Sequence, residues 1–343
     1  MKMILGTTLA VLLSQASVSH AQASSPTGDA AVTLLTSDLE RIAKDSQGVV
    51  GVAAWRLDGQ GPVIGMALDE PFPMASTFKV AVAAKIFADV DAGRLKLDQM
   101  ISLEEDMRVP SHLIADHLIH PGVSLSLLNW LELMLTVSDN TATDVMVKLA
   151  GGPPAVTAWL QEKKITGVRV DEDTAASLQR FLKLPRGPFN AVYKAAIDAG
   201  QGPDGSHTPH PHYDDAPENT STPRGMATLL TGLFSGQFLS AESTKVLTGI
   251  MERTSTGVAR IRGRMPTGTV VADKTGTLGG SVNDVGVVTL PDGAGQIVIA
   301  VFIKKGPLGE PGGEPVIADM SRSIRDYFLF TSPSLKPKIG KNK

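Results

Sequence analysis

The 343-residue sequence contains no cysteine. Disulfides and thiolate metal centres are therefore excluded. The fold must rest on buried apolar surface, which a chain of this length can supply. Trp and Tyr are scarce, three of each, so no aromatic platform for stacking nucleic-acid bases is on offer. A strong charge excess is also missing: 32 Lys and Arg stand against 35 Asp and Glu, a net of −3. That balance leaves no basic footprint for nucleic acid. No apolar run reaches the ~20 residues that a membrane-spanning helix needs.

What is present begins at the N-terminus. Lys2 gives a positive start, Met3 to Leu13 form a short apolar run, and Ser19-His20-Ala21 and Ala21-Gln22-Ala23 are cleavage-like. Residues 1–23 are expected to be a secretory signal peptide. A buried N-terminal helix is the weaker reading, because the charged start, apolar middle and small-residue end occur together. No cysteine follows to carry a lipid anchor. The expectation is a secreted or periplasmic protein whose mature chain starts near Gln22 or Ser24. Losing Lys2 lowers the basic count from 32 to 31 and makes the mature net charge about −4.

Periodicity organises the remainder. Val32, Leu35, Leu39, Ile42 and Ala43 share one helical face over 31–45. Residues 48–57 (GVVGVAAWRL) read as a buried strand and 62–68 as a shorter partner. The chain is mostly helical from about Ser76 to Glu252. Residues 285–290 and 296–303 read as strands joined by a Pro291-Asp292-Gly293 turn, and 316–329 as a closing helix. Strands at both ends with helices between predict an α/β (α+β) fold. Its antiparallel sheet is built from both termini and flanked by helices, beside an all-helical lobe. The expected division is 24–70 with 253–343 as the α/β lobe and 71–252 as the helical lobe. A Gly/Pro/His-rich stretch at about 183–223 interrupts the helical block, and 200–218 reads as a long loop.

Three short motifs carry chemistry. Ser76-Thr77-Phe78-Lys79 opens an apolar run, and serine and lysine three apart at a helix start share a face. The unpaired N–H groups of a helix start can stabilise an oxyanion. A lysine against an apolar face can lose its proton easily and accept one from serine. The bland reading is an N-cap and a surface lysine. Ser138-Asp139-Asn140 lies between two helices and reads equally well as a capping cluster. Lys274-Thr275-Gly276-Thr277 ends a strand, where glycine lets a ligand approach closely; the bland reading is an ordinary strand end.

In this order the three motifs resemble the signature of class A β-lactamases and penicillin-binding proteins. Class A is the nearer match. The likeness extends to Gly151-Gly152-Pro153, Thr157-Ala158-Trp159-Leu160, Thr222-Pro223 with Met226-Ala227, and Thr256-Gly257 with Arg260-Ile261-Arg262. It covers nearly the whole mature chain except roughly 179–218. The resemblance implies that Ser76 is the acylated nucleophile and that Lys79 helps to deprotonate it. Ser138 would pass a proton to the lactam nitrogen, assisted by Lys274. Asn140 would hold the substrate acylamide, and Thr275, Gly276, Thr277 and Arg260 would bind its carboxylate end. The N–H groups of Ser76 and Thr277 would form the oxyanion hole.

The likeness fails where class A enzymes place a glutamate that holds the deacylating water. The ungapped register from Ser138 through Asp171 puts Thr174 at that position and Leu178 at the accompanying asparagine. Glu172 and Asn219 stand where an arginine–aspartate pair would tie the loop. Three substitutes are open: Glu172 or Asp173 reaching the site, an inserted acid (Asp214, Asp215 or Glu218) folding back, or no base and a long-lived acyl-enzyme. The plain reading of Asp171–Asp173 is a solvated turn, and Glu172 is carried as the candidate deacylation base.

His207, His210, His212, Tyr213 and Asp214 hint at a metal, but His-rich tracts are compositional hints only. The interleaved prolines argue against rigid presentation, so a polar surface lid is expected, with no metal site and no cofactor. His112, His117 and His120 read as structural. The expected activity is an exported serine β-lactamase. A slowly deacylating acyltransferase or D,D-peptidase and a non-catalytic β-lactam-binding module are the alternatives. The expected partner is a small β-lactam or D-Ala-D-Ala-like substrate, with no nucleic acid, no membrane anchor and a monomeric chain.

Overall fold

Both ends of the chain meet in one five-stranded antiparallel sheet. The computed structural model describes residues 28–111, 113–201 and 208–332; the expected signal segment 1–23, His112 and His207 lie outside the described residues. The strands are β1 (Val49–Arg56), β2 (Ile64–Met66), β3 (Val271–Leu278), β4 (Ser281–Thr289) and β5 (Gln296–Lys304). Their spatial order is β2-β1-β5-β4-β3. Val50 pairs with Ile303 and Ala53 with Ala300, so the first long strand is held between its hairpin partner and the last strand.

Both faces of the sheet are covered, which is why β4 and β5 are buried almost throughout. The two-residue strand period sorts their side chains. Ile297, Ile299 and Val301 join Val50 and Val52 on one face, against Leu35, Leu39, Ile42, Ile317, Ile324 and Phe328. Those partners come from helices α1 (Gly28–Ala43) and, at the chain end, Gly309–Thr331. Val298, Ala300 and Phe302 face the other way, into the core of the helical region. That region is built from α2 (Lys79–Asp91), α3 (Leu127–Thr136), α4 (Asn140–Leu149), α5 (Pro153–Glu162), α6 (Thr174–Phe181), α7 (Phe189–Asp198), α8 (Pro223–Phe234) and α9 (Ala241–Glu252). Gly309–Thr331 is α10.

Side-chain caps fix the helix starts that carry the site. Asp139 accepts from Ala142 N at 2.8 Å at the start of α4, and Asp173 from Ala176 N at 2.8 Å at the start of α6. Thr222 accepts from Gly225 N at 3.0 Å, with Pro223 at the first position of α8. Such a cap contributes about 1 kcal/mol.

Two elements depart from the sequence expectation. The stretch 183–223 is not simply an interruption, because α7 lies inside it with Phe189 and Ala196 buried on one face. Strand β4 begins at Ser281, four residues before its apolar run. Its first residues are polar yet buried: Asn283 Nδ2 donates to Pro73 O at 2.9 Å and Met74 O at 3.0 Å, and its Oδ1 accepts from Ile303 N at 3.2 Å.

Candidate active site

Ser76 lies in a 3₁₀ turn, Ala75–Phe78, that runs directly into α2. Lys79 begins that helix and is completely buried. Its Nζ lies 2.7 Å from Ser138 O, 3.1 Å from Ser138 Oγ and 3.0 Å from Asn140 Oδ1. Burial, and then the charge of Lys274, holds the Lys79 ammonium well below the usual lysine range; Asp139 and Asp144 oppose this. A neutral amine so placed can take a hydroxyl proton.

Ser138 joins α3 to α4 in a left-handed conformation, φ 59°. Such backbone costs about 1–3 kcal/mol in a non-glycine residue and persists only when its surroundings impose it. Here the next residue is anchored: Asp139 also accepts from Ser111 Oγ at 2.7 Å and Ile114 N at 2.9 Å. Lys274 donates to Ser138 Oγ at 2.9 Å and to Thr275 O at 3.0 Å. Burial pushes the Lys274 ammonium down to about 7, although Asp284 and Asp273 pull it back up. The Ser138 hydroxyl thus accepts from two lysines, which leaves its own proton free to donate.

Strand β3 is the sheet edge and lies against the Ser76 turn. A Cβ on Gly276 would stand 2.5 Å from Met74 O and 3.0 Å from Ser76 N, so only glycine permits this approach. Arg260, completely buried, donates to Asn283 O at 2.8 Å, Gly276 O at 3.2 Å and Thr277 Oγ1 at 2.6 Å. Glu310 at 2.5 Å and Glu314 at 3.2 Å hold the rest of its guanidinium. Thr256 Oγ1 lies 2.8 Å from Thr275 Oγ1. Hydroxyls and Arg260 therefore gather at one end of a cleft of about 610 Å³ that opens on Ser76. Leu178, Phe181 and Leu182 form an apolar wall of the same cleft.

The acidic stretch is not a solvated turn. Glu172 is buried, its Oε2 accepting from Arg180 Nε at 3.0 Å and its Oε1 from Arg186 Nη2 at 2.5 Å. The solvated reading fails because both arginines arrive from downstream, in the segment that departs from the family pattern. Asp171 pairs with Arg169 at 2.6 Å, and Asp173 caps α6. Asn219 ties the loop through its backbone, accepting from Asp171 N at 2.7 Å and Glu172 N at 3.0 Å and donating to Glu172 O at 2.9 Å. An amide thus spans the gap where an ion pair was expected.

Thr174, at the expected glutamate position, lines a second, smaller cavity of about 70 Å³ beside Ser76. Ser177, Tyr213 and Asn219 share that lining. Glu172 approaches it only through Ser177 Oγ, 3.4 Å from its Oε2. Sequence reasoning passed over Asp144. Its carboxylate is buried behind Thr174, accepting from Thr174 N at 2.7 Å and Ala175 N at 2.9 Å. The available signal was its position four residues after Asn140, on the same face of α4.

The His-rich segment is not a polar lid. Pro211 starts a helical turn, Pro211–Asp214, that buries Tyr213 and Asp214. The Arg180 guanidinium lies 5.2 Å from the Tyr213 ring centroid, and the His210 ring 4.3 Å from that of Phe181. Aromatic burial outweighs the polar composition. Burial keeps the Tyr213 hydroxyl protonated. Among the described residues no group of three or more His, Asp or Glu side chains is placed to hold a metal ion.

The comparisons agree with this geometry. The family model described as "Beta-lactamase enzyme family" matches residues 34–328. Beta-lactamase VEB-1 of Pseudomonas aeruginosa is 27% identical over 304 residues, covering 86% of this chain and 90% of that protein. A beta-lactamase structure from Chitinophaga pinensis is 29% identical with a TM-score of 0.70, covering 85% of this chain and 98% of the other. An ancestral class A beta-lactamase structure is also 29% identical, with a TM-score of 0.70 over 85% of this chain and 99% of its own. With the serine–lysine turn, the left-handed serine and the glycine-edged strand all assembled in that architecture, the chain belongs to the beta-lactamase enzyme family and has the class A fold.

Proposed function

We propose that this protein opens β-lactam rings through an ester formed on Ser76. Neutral Lys79 takes the Ser76 proton as Oγ attacks the lactam carbonyl. The developing oxyanion is met by the Ser76 and Thr277 N–H groups; one such donor contributes about 3 kcal/mol to the transition state. The C–N bond then breaks, and Ser138 passes its proton to the departing nitrogen. Asn140 holds the acylamide. Thr275 and Thr277 bind the substrate carboxylate, with Gly276 giving the close approach; Arg260, expected to share that role, has all five N–H groups engaged by the protein and acts by orienting the Thr277 hydroxyl.

The observation that carries this reading is the Ser138 hydroxyl bridged by Lys79 and Lys274 at 3.1 and 2.9 Å. It links the nucleophile's proton acceptor to the leaving group's proton donor. Export follows from the leader pattern at residues 1–23, and the working form is a monomer.

The test is incubation of the mature protein with a chromogenic cephalosporin, following product and intact mass together. Turnover far beyond one product per enzyme, abolished in Ser76→Ala, is expected. A single burst with a lasting adduct on Ser76 would instead identify a slow-releasing acyltransferase. Neither product nor adduct would falsify the acyl-serine reading. N-terminal sequencing of exported protein tests the leader, and sedimentation tests the monomer.

A further inference from the structure

We propose that Thr174 and Asp144 form a proton relay that activates the water cleaving the acyl-Ser76 ester. This inference rests on the acyl-serine reading above. The place for the water is the cavity of about 70 Å³ that Ser76 and Thr174 both line. A water takes up roughly 30 Å³ of liquid volume, so one or two fit. The Thr174 Oγ1 atom is buried and completes no hydrogen bond of good geometry among the described residues. A buried hydroxyl left so is unfavourable, and a bound water would satisfy it.

Directly behind it lies Asp144. Each carboxylate oxygen accepts one backbone N–H, from Thr174 at 2.7 Å and from Ala175 at 2.9 Å, and each keeps a second lone pair. The nearby Thr174 hydroxyl also stabilises the ionised carboxylate.

The competing groups are less suited. Glu172 is held by Arg180 at 3.0 Å and Arg186 at 2.5 Å and does not line the cavity. Asp173 is occupied in capping α6. The Tyr213 phenol is kept protonated by burial. Among the described residues Asp144 carries no ion pair, and burial, followed by the charge of Asp173, raises its carboxyl to about 7. A base is most effective when its pKa lies near the working pH. The titratable groups facing Asp144 are Asp173 at the start of α6 and Lys79 on α2.

In the step, the water oxygen bonds to the ester carbonyl carbon. Its proton passes to Thr174 Oγ1 as the threonine proton moves to the Asp144 carboxylate. Collapse of the tetrahedral intermediate breaks the bond from that carbon to Ser76 Oγ. The proton held on Asp144 returns through Thr174 to the serine oxygen. The products are free serine and an open-ring acid.

The experiment measures acylation and deacylation separately, by burst kinetics and time-resolved intact mass, from pH 5 to 9. Wild-type deacylation should rise with pH and level off above an inflection near 7. Thr174→Val removes the hydroxyl at nearly constant shape. It should slow deacylation about 100-fold, the scale of lost acid–base assistance, and erase the inflection while adduct still forms. Thr174→Ser should restore rate and inflection, which separates the relay from a packing effect. Deacylation by Thr174→Val at the wild-type rate, or a wild-type adduct that never clears, overturns the relay while leaving acylation by Ser76 in place. Failure of the wild type to form any adduct overturns the acyl-serine reading itself.

Discussion

Gly276 presses its backbone against the turn that holds Ser76. A Cβ there would meet Met74 O at 2.5 Å and Ser76 N at 3.0 Å. Gly276→Ala should therefore push β3 outward and widen the oxyanion hole. The expected result is a fall in acylation rate of about 100-fold, the loss of one oxyanion donor, with an unchanged circular-dichroism spectrum. Burst kinetics of the variant, compared with wild type, check it.

Ser138 sets function against stability. Its left-handed backbone, φ 59°, suits glycine better than serine. Ser138→Gly should melt no lower than wild type, because relieved strain of about 1–3 kcal/mol offsets the added freedom of the unfolded chain. Acylation should fall about 100-fold for want of the shared hydroxyl. Thermal melts and adduct formation on the same samples test both halves.

Acylation should show two pH limbs. Lys79 must be neutral to accept a proton, so the rate rises from the acid side as Lys79 deprotonates, below the usual lysine range. Lys274 assists Ser138 as a cation, so the rate declines as pH climbs through about 7. Lys274→Arg keeps its charge at higher pH, and should extend the alkaline limb. The second-order acylation constant measured from pH 5 to 9 decides this.

Glu172→Gln should act on the fold and not on the chemistry. The change leaves half-buried Arg180 without its counter-charge, a loss of about 1.5–3 kcal/mol for a hydrogen bond to a charged group, read as a fall of a few degrees in Tm. Deacylation per folded molecule should stay at the wild-type rate. A selective loss of deacylation with an unchanged melt would restore Glu172 as the base.

Much of the candidate site was legible because its signals are local. Ser76 and Lys79 are three residues apart at a helix start, and Lys274 and Gly276 end one strand. The rest depends on distant partners. Asp144 lies in NTATDVMVKL with nothing beside it to mark a role, and the amides that hold it come thirty residues later, at Thr174 and Ala175. Glu172 looked solvated because Arg180 and Arg186 belong to the segment where the family pattern stops. The start of β4 escaped notice because Ser281 and Asn283 are polar; they are buried among hydrogen bonds. Tyr213 sat in a polar, proline-rich run whose composition gave no hint of an aromatic core.

The pairing of β1 with β5 also sets a schedule for biosynthesis. Val49 has no partner until Lys304 has been made, and Ser138 has no lysine from β3 until Lys274 emerges. A nascent chain stopped anywhere before β5 exposes an apolar strand edge open to sticking, and carries no working centre. Competence arrives all at once, with the closing strand and α10, so a chaperone that shields β1 would hold the protein inert until its last segment is released.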